Sequence, residues 1–213
     1  MAMNLGATDR AGVAVFAKAP VAGFAKTRLI PLLGPQGAAD LQSLLIGLTL
    51  RLVHASPLRP ISLWCAPDRS HNLFHRMKER YGLDLHDQAG EDLGSRMLLA
   101  FEVLTRDRPL LLIGTDCPAL TPAHLIRCAQ ALRDGADAAF VPAEDGGYAL
   151  IGLRKAVPQL FDKISWGTES VMEQTRRRLR SLQLRHFETA TLWDVDTPAD
   201  YERARAAGLL QLD

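Results

Sequence analysis

Three cations, Lys18, Lys26 and Arg28, stand close together in Phe16-Ala17-Lys18-Ala19-Pro20-Val21-Ala22-Gly23-Phe24-Ala25-Lys26-Thr27-Arg28-Leu29, directly after the apolar run Gly12-Val13-Ala14-Val15. A strand that ends in small residues and is followed by Lys and Arg two apart gives backbone N–H groups and point charges room to approach a polyphosphate. The backbone of Ala17 to Pro20 and the side chains of Lys18, Lys26 and Arg28 are the parts that would make that approach. The segment matches neither G-x-x-x-x-G-K-[ST] nor G-x-G-x-x-G, since Gly23 is its one glycine. On this stretch alone, a solvated basic turn is the simpler alternative.

Carboxylates follow at the ends of later apolar runs. Asp116 closes Pro109-Leu110-Leu111-Leu112-Ile113-Gly114-Thr115-Asp116, where a turn aspartate is the competing explanation. In Asp194-Val195-Asp196-Thr197-Pro198-Ala199-Asp200, Thr197, Pro198 and Asp200 read as a helix start, which leaves Asp194 and Asp196 unexplained. Carboxylates from two separate loops opposite Lys18, Lys26 and Arg28 suit a Mg²⁺ (or Mn²⁺) held by one or two protein oxygens plus substrate phosphates.

Three further segments sit at element junctions. Gln88-Ala89-Gly90-Glu91-Asp92-Leu93-Gly94-Ser95-Arg96, with two glycines, offers backbone groups that could read a base edge or a ribose, although a capped helix start explains it as well. Glu144-Asp145-Gly146-Gly147-Tyr148 is either a glycine turn or a contact with the transferred group or its acceptor, Asp145 or Glu144 then serving as general base. Trp166, ahead of Gly167, is core filler or a flap over the site.

Other chemistries find less support. His71 and His75 are spaced as a zincin pair, but no Glu follows the first His. Cys65, Cys117 and Cys128 are odd in number and form no C-x-x-C pair, so they read as buried apolar filler. The run Arg176-Arg177-Arg178-Leu179-Arg180 lacks interleaved aromatics and reads as a solvated helix face.

Positioning these groups requires a framework. Leu41, Leu44, Leu45, Leu48 and Leu52 recur at helical spacing, giving a helix over about 36–54. Strands are expected at 60–66, 83–87, 109–114, 136–141, 148–153 and 184–188. Helices are expected at 69–80, 94–105, from Thr121-Pro122 onward, at 168–182 and at 198–207. The connection Asp145-Gly146-Gly147 is too short for a crossover helix, so its two strands form an antiparallel or offset pair in an otherwise parallel sheet. Alternating strands and helices define a three-layer α/β/α, doubly wound, mostly parallel mixed sheet with its ligand crevice at the carboxyl ends of the strands.

Composition sets the outer limits. The 213 residues, 47% hydrophobic, suit one domain spanning 1–213 with a substantial core. Lys+Arg 25 against Asp+Glu 24 gives a net charge of +1, which offers no global field for nucleic acid or an anionic membrane. The segment from Met1 to Arg10 is polar and lacks an apolar signal region, and no stretch reaches the ~20 apolar residues of a membrane span, so a soluble cytoplasmic protein is expected.

Taken in order, these motifs resemble the nucleotide-diphospho-sugar transferase superfamily, with its GT-A-type, Rossmann-like fold. More narrowly they resemble the DUF2064 family, also labelled rSAM/selenodomain-associated transferase 1. The first motif is also similar to the opening of phospholactate guanylyltransferases, and Asp116-Cys117-Pro118 to a turn of molybdenum-cofactor nucleotidyltransferases, whose Gly-Gly-x-Ser-x-Arg-Met-Gly opening is lacking here. The resemblance implies nucleotide binding by Ala17, Lys18, Ala19, Pro20, Lys26, Arg28, Asp92, Leu93, Gly94 and Arg96. It also implies metal binding by Asp116 with Asp194 or Asp196, and catalytic work by Lys26, Arg28, Asp116 and Asp145. Glu144, Asp145, Gly146, Gly147, Tyr148 and Trp166 would face the acceptor or sugar. The implied activity is transfer of a nucleotidyl group from an NTP, or of a glycosyl group from a nucleotide sugar, to a small-molecule acceptor. The alternative is a nucleotide-sensing protein without turnover. Base, acceptor and oligomeric state are not encoded in the spacing.

Overall fold

The computed structural model describes residues 11–211, so the N-terminal stretch read above, residues 1–10, lies outside the described residues. Seven strands form one sheet: β1 (Gly12–Lys18), β2 (Ile61–Ala66), β3 (Asp84–Asp87), β4 (Leu110–Ile113), β5 (Ala138–Pro142), β6 (Tyr148–Leu153) and β7 (His186–Glu188). Their spatial order is β3-β2-β1-β4-β6-β5-β7. β6 runs antiparallel to both β4 and β5, while the other neighbours are parallel. The mixed sheet expected from the short Asp145-Gly146-Gly147 connection is therefore present.

The layers follow from the two-residue period of β1. Val13, Val15 and Ala17 point to one face, with Ile46, Leu50 and Val53 of α1 (Ile30–Ala55), Phe74 of α2 (Asn72–Tyr81) and Leu125 of α4 (Pro122–Arg133) in the same core. Ala14 and Phe16 point to the other, with Phe101 of α3 (Leu93–Leu104) and Met172 and Leu179 of α5 (Val171–Ser181). Every residue of β4 is buried, as a central strand covered on both faces demands. A third cluster joins Leu41 and Leu45 of α1 to Val195 and to Ala204 of α6 (Pro198–Ala206). No described helix is long and apolar enough to cross a membrane.

Several boundaries move. β1 continues to Lys18, because Phe16 and Ala17 are buried strand positions rather than loop. α1 starts at Ile30 and is broken at Gly34 (φ 71°), ahead of Pro35, so the leucine stripe belongs to the part beyond that kink. α2 begins at Asn72, where the His71 ring accepts from the Leu73 N–H and caps the helix, which is the role of that histidine here. α5 begins at Val171, and β7 is limited to three residues.

Candidate active site

The crevice forms where the sheet order reverses. β1 and β4 pair as far as Val15↔Ile113, and beyond that register no ladder pair joins them. Phe16–Lys18 and 114–116 lie beyond it, at the switch point where doubly wound sheets bind ligands. Lys18 is the last residue of β1 and is exposed, so one of the three cations belongs to the strand exit rather than to the loop.

The loop then folds back on itself. Phe24 and Ala25 N–H groups both donate to the Val21 carbonyl (3.0 and 3.0 Å), and Ala25 is buried. Lys26 takes a left-handed conformation (φ 45°, ψ 47°), which costs a non-glycine residue about 1 kcal/mol or more. Its side chain is turned inward and is only 4% exposed. Nζ donates to the Val195 carbonyl at 2.7 Å and pairs with Asp116 Oδ1 at 2.9 Å, while Asp196 Oδ1 lies 4.0 Å away. Arg28, in a 3-10 turn at Thr27–Leu29, pairs with Asp196 Oδ2.

The carboxylates arrive from two segments laid side by side. The Val195 N–H donates to the Asp116 carbonyl at 2.8 Å, and the Val195 side chain is fully buried against Leu29, Leu41 and Leu45. Burying the middle residue of Asp-Val-Asp leaves both acids flanking it outside the core. A capping box between Thr197 and Asp200 then starts α6, as the sequence signature predicts. Burial pushes the Asp194 carboxyl up to about 6, and the charges of Asp145, Asp116 and Asp196 push in the same direction. Four acids from three segments therefore share one neighbourhood.

Among the described residues, no three His, Cys, Asp or Glu side chains are gathered closely enough to hold a metal ion unaided. The donor set nonetheless fits Mg²⁺ or Mn²⁺: it is all carboxylate oxygen, it is crowded with like charge, and hard cations of this size take one or two protein carboxylates with the balance from phosphate and water.

The remaining candidates divide. Asp145 is exposed, one of its oxygens accepts from the Gly147 N–H at 2.8 Å, and its charge reaches Asp194. Glu144 is turned to Arg203 of α6, which holds it through two hydrogen bonds (2.8 and 3.3 Å) and lies 4.3 Å from the centre of the Trp193 ring. Gly146 (φ 85°) approaches Glu169 so closely that an added Cβ would sit 2.0 Å from its carbonyl oxygen, while its own carbonyl accepts from Met172 N–H at 2.7 Å. The Tyr148 hydroxyl is desolvated and pushed far up, and its ring rests on Phe140.

Asp92 caps α3 with Ser95, so its carboxylate serves the helix start and sits below its ordinary value. Leu93 is exposed, and Arg96 Nε donates to the Gly90 carbonyl at 3.1 Å. Trp166 lies so close to Gly94 that a Cβ there would collide with its Nε1, and it stacks on Phe161; among the described residues its buried Nε1 has no hydrogen-bond partner.

Sequence reasoning missed Gln42 and Arg203, and took Gln88 only as the first residue of a loop. Gln42 interrupts a mostly apolar helix face, a signal that was available; the bond from Gln88 to the Trp64 carbonyl at 2.9 Å and the role of Arg203 carry none.

The fold is that of the nucleotide-diphospho-sugar transferases. A crystal structure from Desulfovibrio desulfuricans G20, provisionally named a nucleotide-diphospho-sugar transferase, is 30% identical over 88% of this chain and 82% of that one, with a TM-score of 0.79. The same fold, at 15% identity and a TM-score of 0.61, is seen in CMP:2-keto-3-deoxy-manno-octonic acid synthetase complexed with CTP, with 95% of this chain and 100% of that one covered. It recurs in 4-diphosphocytidyl-2C-methyl-D-erythritol synthase from Anaerococcus prevotii DSM 20548, at 12% identity, a TM-score of 0.62, and coverage of 95% and 99%. No curated protein shows significant sequence similarity to the chain. Residues 49–168 match the family described as "uncharacterized protein conserved in bacteria (DUF2064)", and the chain belongs to that family.

Proposed function

We propose that the protein is a divalent-metal-dependent transferase, contained in a single domain, that takes a nucleotide donor at the β1/β4 crevice and passes part of it to a small-molecule acceptor. The observation that carries this reading is the convergence of Asp116 and Asp196 on Lys26 and Arg28 at the switch point, with Asp194 close enough to feel the charges of Asp116, Asp196 and Asp145. Asp116 with Asp194 or Asp196 would hold Mg²⁺ or Mn²⁺, which when bound would offset phosphate charge in the donor and its leaving group.

The protein's own groups have distinct tasks. Lys18, with no ion-pair partner among the described residues, is placed to meet the donor's phosphates. Lys26 and Arg28 neutralise Asp116 and Asp196 before the donor arrives, and the exposed Arg28 guanidinium would share that charge with phosphate oxygens. Asp145 is the acid placed to accept a proton from an acceptor hydroxyl, because Glu144 is engaged by Arg203.

The fold of the neighbours supports a nucleotide-using transferase, and a donor panel separates the two forms of transfer. Thermal unfolding with and without Mg²⁺ should show a metal-dependent rise for ATP, GTP, CTP or UTP if the transfer is nucleotidyl, or for UDP-glucose or GDP-mannose if it is glycosyl. Ligand at ~100 times its Kd stabilises by roughly 2.7 kcal/mol. No rise with any of them would remove the nucleotide from the account. Binding without release of pyrophosphate or nucleoside diphosphate across an acceptor panel would instead favour a sensing role.

A further inference from the structure

Gln42 lies on the buried side of α1, between Leu41 and Leu45, and is 4% exposed. Its nearest neighbours on that face, Ala38, Ala39, Leu45 and Ile46, are apolar and give no reason for an amide there, and a buried polar group is tolerated only when bonded. Its Nε2 donates to the Lys18 carbonyl at 3.3 Å and to the buried Thr115 hydroxyl at 3.2 Å. Thr115 Oγ1 in turn donates to Asp116 Oδ1 at 3.4 Å.

These bonds fall where the sheet no longer holds itself together. The last β1–β4 pair is Val15↔Ile113, so Lys18 and Thr115 both lie beyond the ladder. Gln42 bridges them from beneath. On the other side of β1, Gln88 Nε2 makes the matching connection, to the Trp64 and Ala17 carbonyls at 2.9 and 3.4 Å. The Gln42 bond to Thr115 also orients the hydroxyl: by donating to its oxygen, the amide directs the hydroxyl proton towards Asp116.

Resting on the nucleotide-transferase reading above, we infer that Gln42 is a positioning residue for the donor site. It fixes the separation of the β1 and β4 exits and, through Thr115, the orientation of Asp116. It does not touch the donor.

The test is calorimetric titration of the wild type, Q42M, T115V, T115S and the Q42M/T115V double variant with MgATP, MgGTP, MgCTP, MgUTP and UDP-glucose, alongside thermal midpoints. Methionine fills the amide's volume on an apolar helix face. Q42M should therefore keep its midpoint within a few degrees while weakening the bound donor roughly tenfold. T115V should lose a similar factor, T115S should bind like the wild type because it retains the hydroxyl, and the double variant should lose little more than either single one. A Q42M protein that binds as the wild type does, or a double variant whose losses multiply, overturns the assignment. If Q42M also melts early, the T115V and T115S pair decides: equal binding by both overturns it, and loss in T115V alone supports it. A wild type that binds none of the five donors overturns the functional reading, and this inference with it.

Discussion

Replacing Asp194 by asparagine should make the metal-free protein more stable at pH 8. The carboxyl at this position moves from 3.8 to about 6, chiefly through burial and secondarily through Asp145. Forcing it to ionise in the fold therefore costs on the order of 3 kcal/mol at most, and partial contact with solvent reduces this to about 1–2 kcal/mol. The sign follows from the folded group holding its proton more tightly than the unfolded one. Wild-type stability falls as pH rises from about 4 to about 6, and the loss is complete above that range. Asparagine keeps the shape and removes the charge, so D194N in chelator should melt about 3–6 °C above the wild type at pH 8. The two should converge near pH 4. Thermal unfolding of both proteins across pH 4–8, with EDTA throughout, measures this directly. A D194N midpoint at or below the wild type at pH 8, or an advantage independent of pH, would show that Asp194 is not a buried, unpaired carboxylate.

Three further outcomes follow. K26M should lower stability by about 1–3 kcal/mol, because the buried Nζ bond to the Val195 carbonyl is lost, and should also weaken donor binding; an unchanged midpoint would mean that Lys26 does not brace the loop. G146A should cost more than about 2 kcal/mol, since a Cβ there meets the Glu169 carbonyl at 2.0 Å on a backbone already at φ 85°; denaturant unfolding that shows less than 1 kcal/mol, roughly, would contradict the close approach. Cys65, Cys117 and Cys128 are buried with thiols pushed up to about 12, so none should react with an aromatic disulfide reagent at pH 8 until the protein is denatured; rapid native labelling of any would place that thiol at the surface.

Much of the framework was legible because its signals are local. The leucines of α1, the continuous run of β4, and the Thr197-Pro198-Asp200 start of α6 each state their element within a few residues. The opening segment was harder: Phe16 and Ala17 read as loop because small residues and a lysine surround them, while their burial depends on the cores above and below the sheet. Which acids and cations were candidates was also visible, but how they pair was not. Lys26 and Asp116 are 90 residues apart along the chain, and Glu144 finds Arg203 across 59. Such partners are chosen by the return of separate strands to one edge of the sheet, which no local period records. Gln42 sits between the two cases: its oddity on an apolar helix face is written in the sequence, and its partners are not.

The central claim is that the Asp116 and Asp194–Asp196 carboxylates make donor binding metal-dependent. Calorimetric titration of the wild type and D116N with the donor found in the thermal panel, in Mg²⁺ and in EDTA, tests it most directly. The wild type should bind saturably in Mg²⁺ and lose binding in EDTA, and D116N should not bind in either. Equal affinity in Mg²⁺ and EDTA, or a D116N protein that binds as tightly as the wild type, would contradict it.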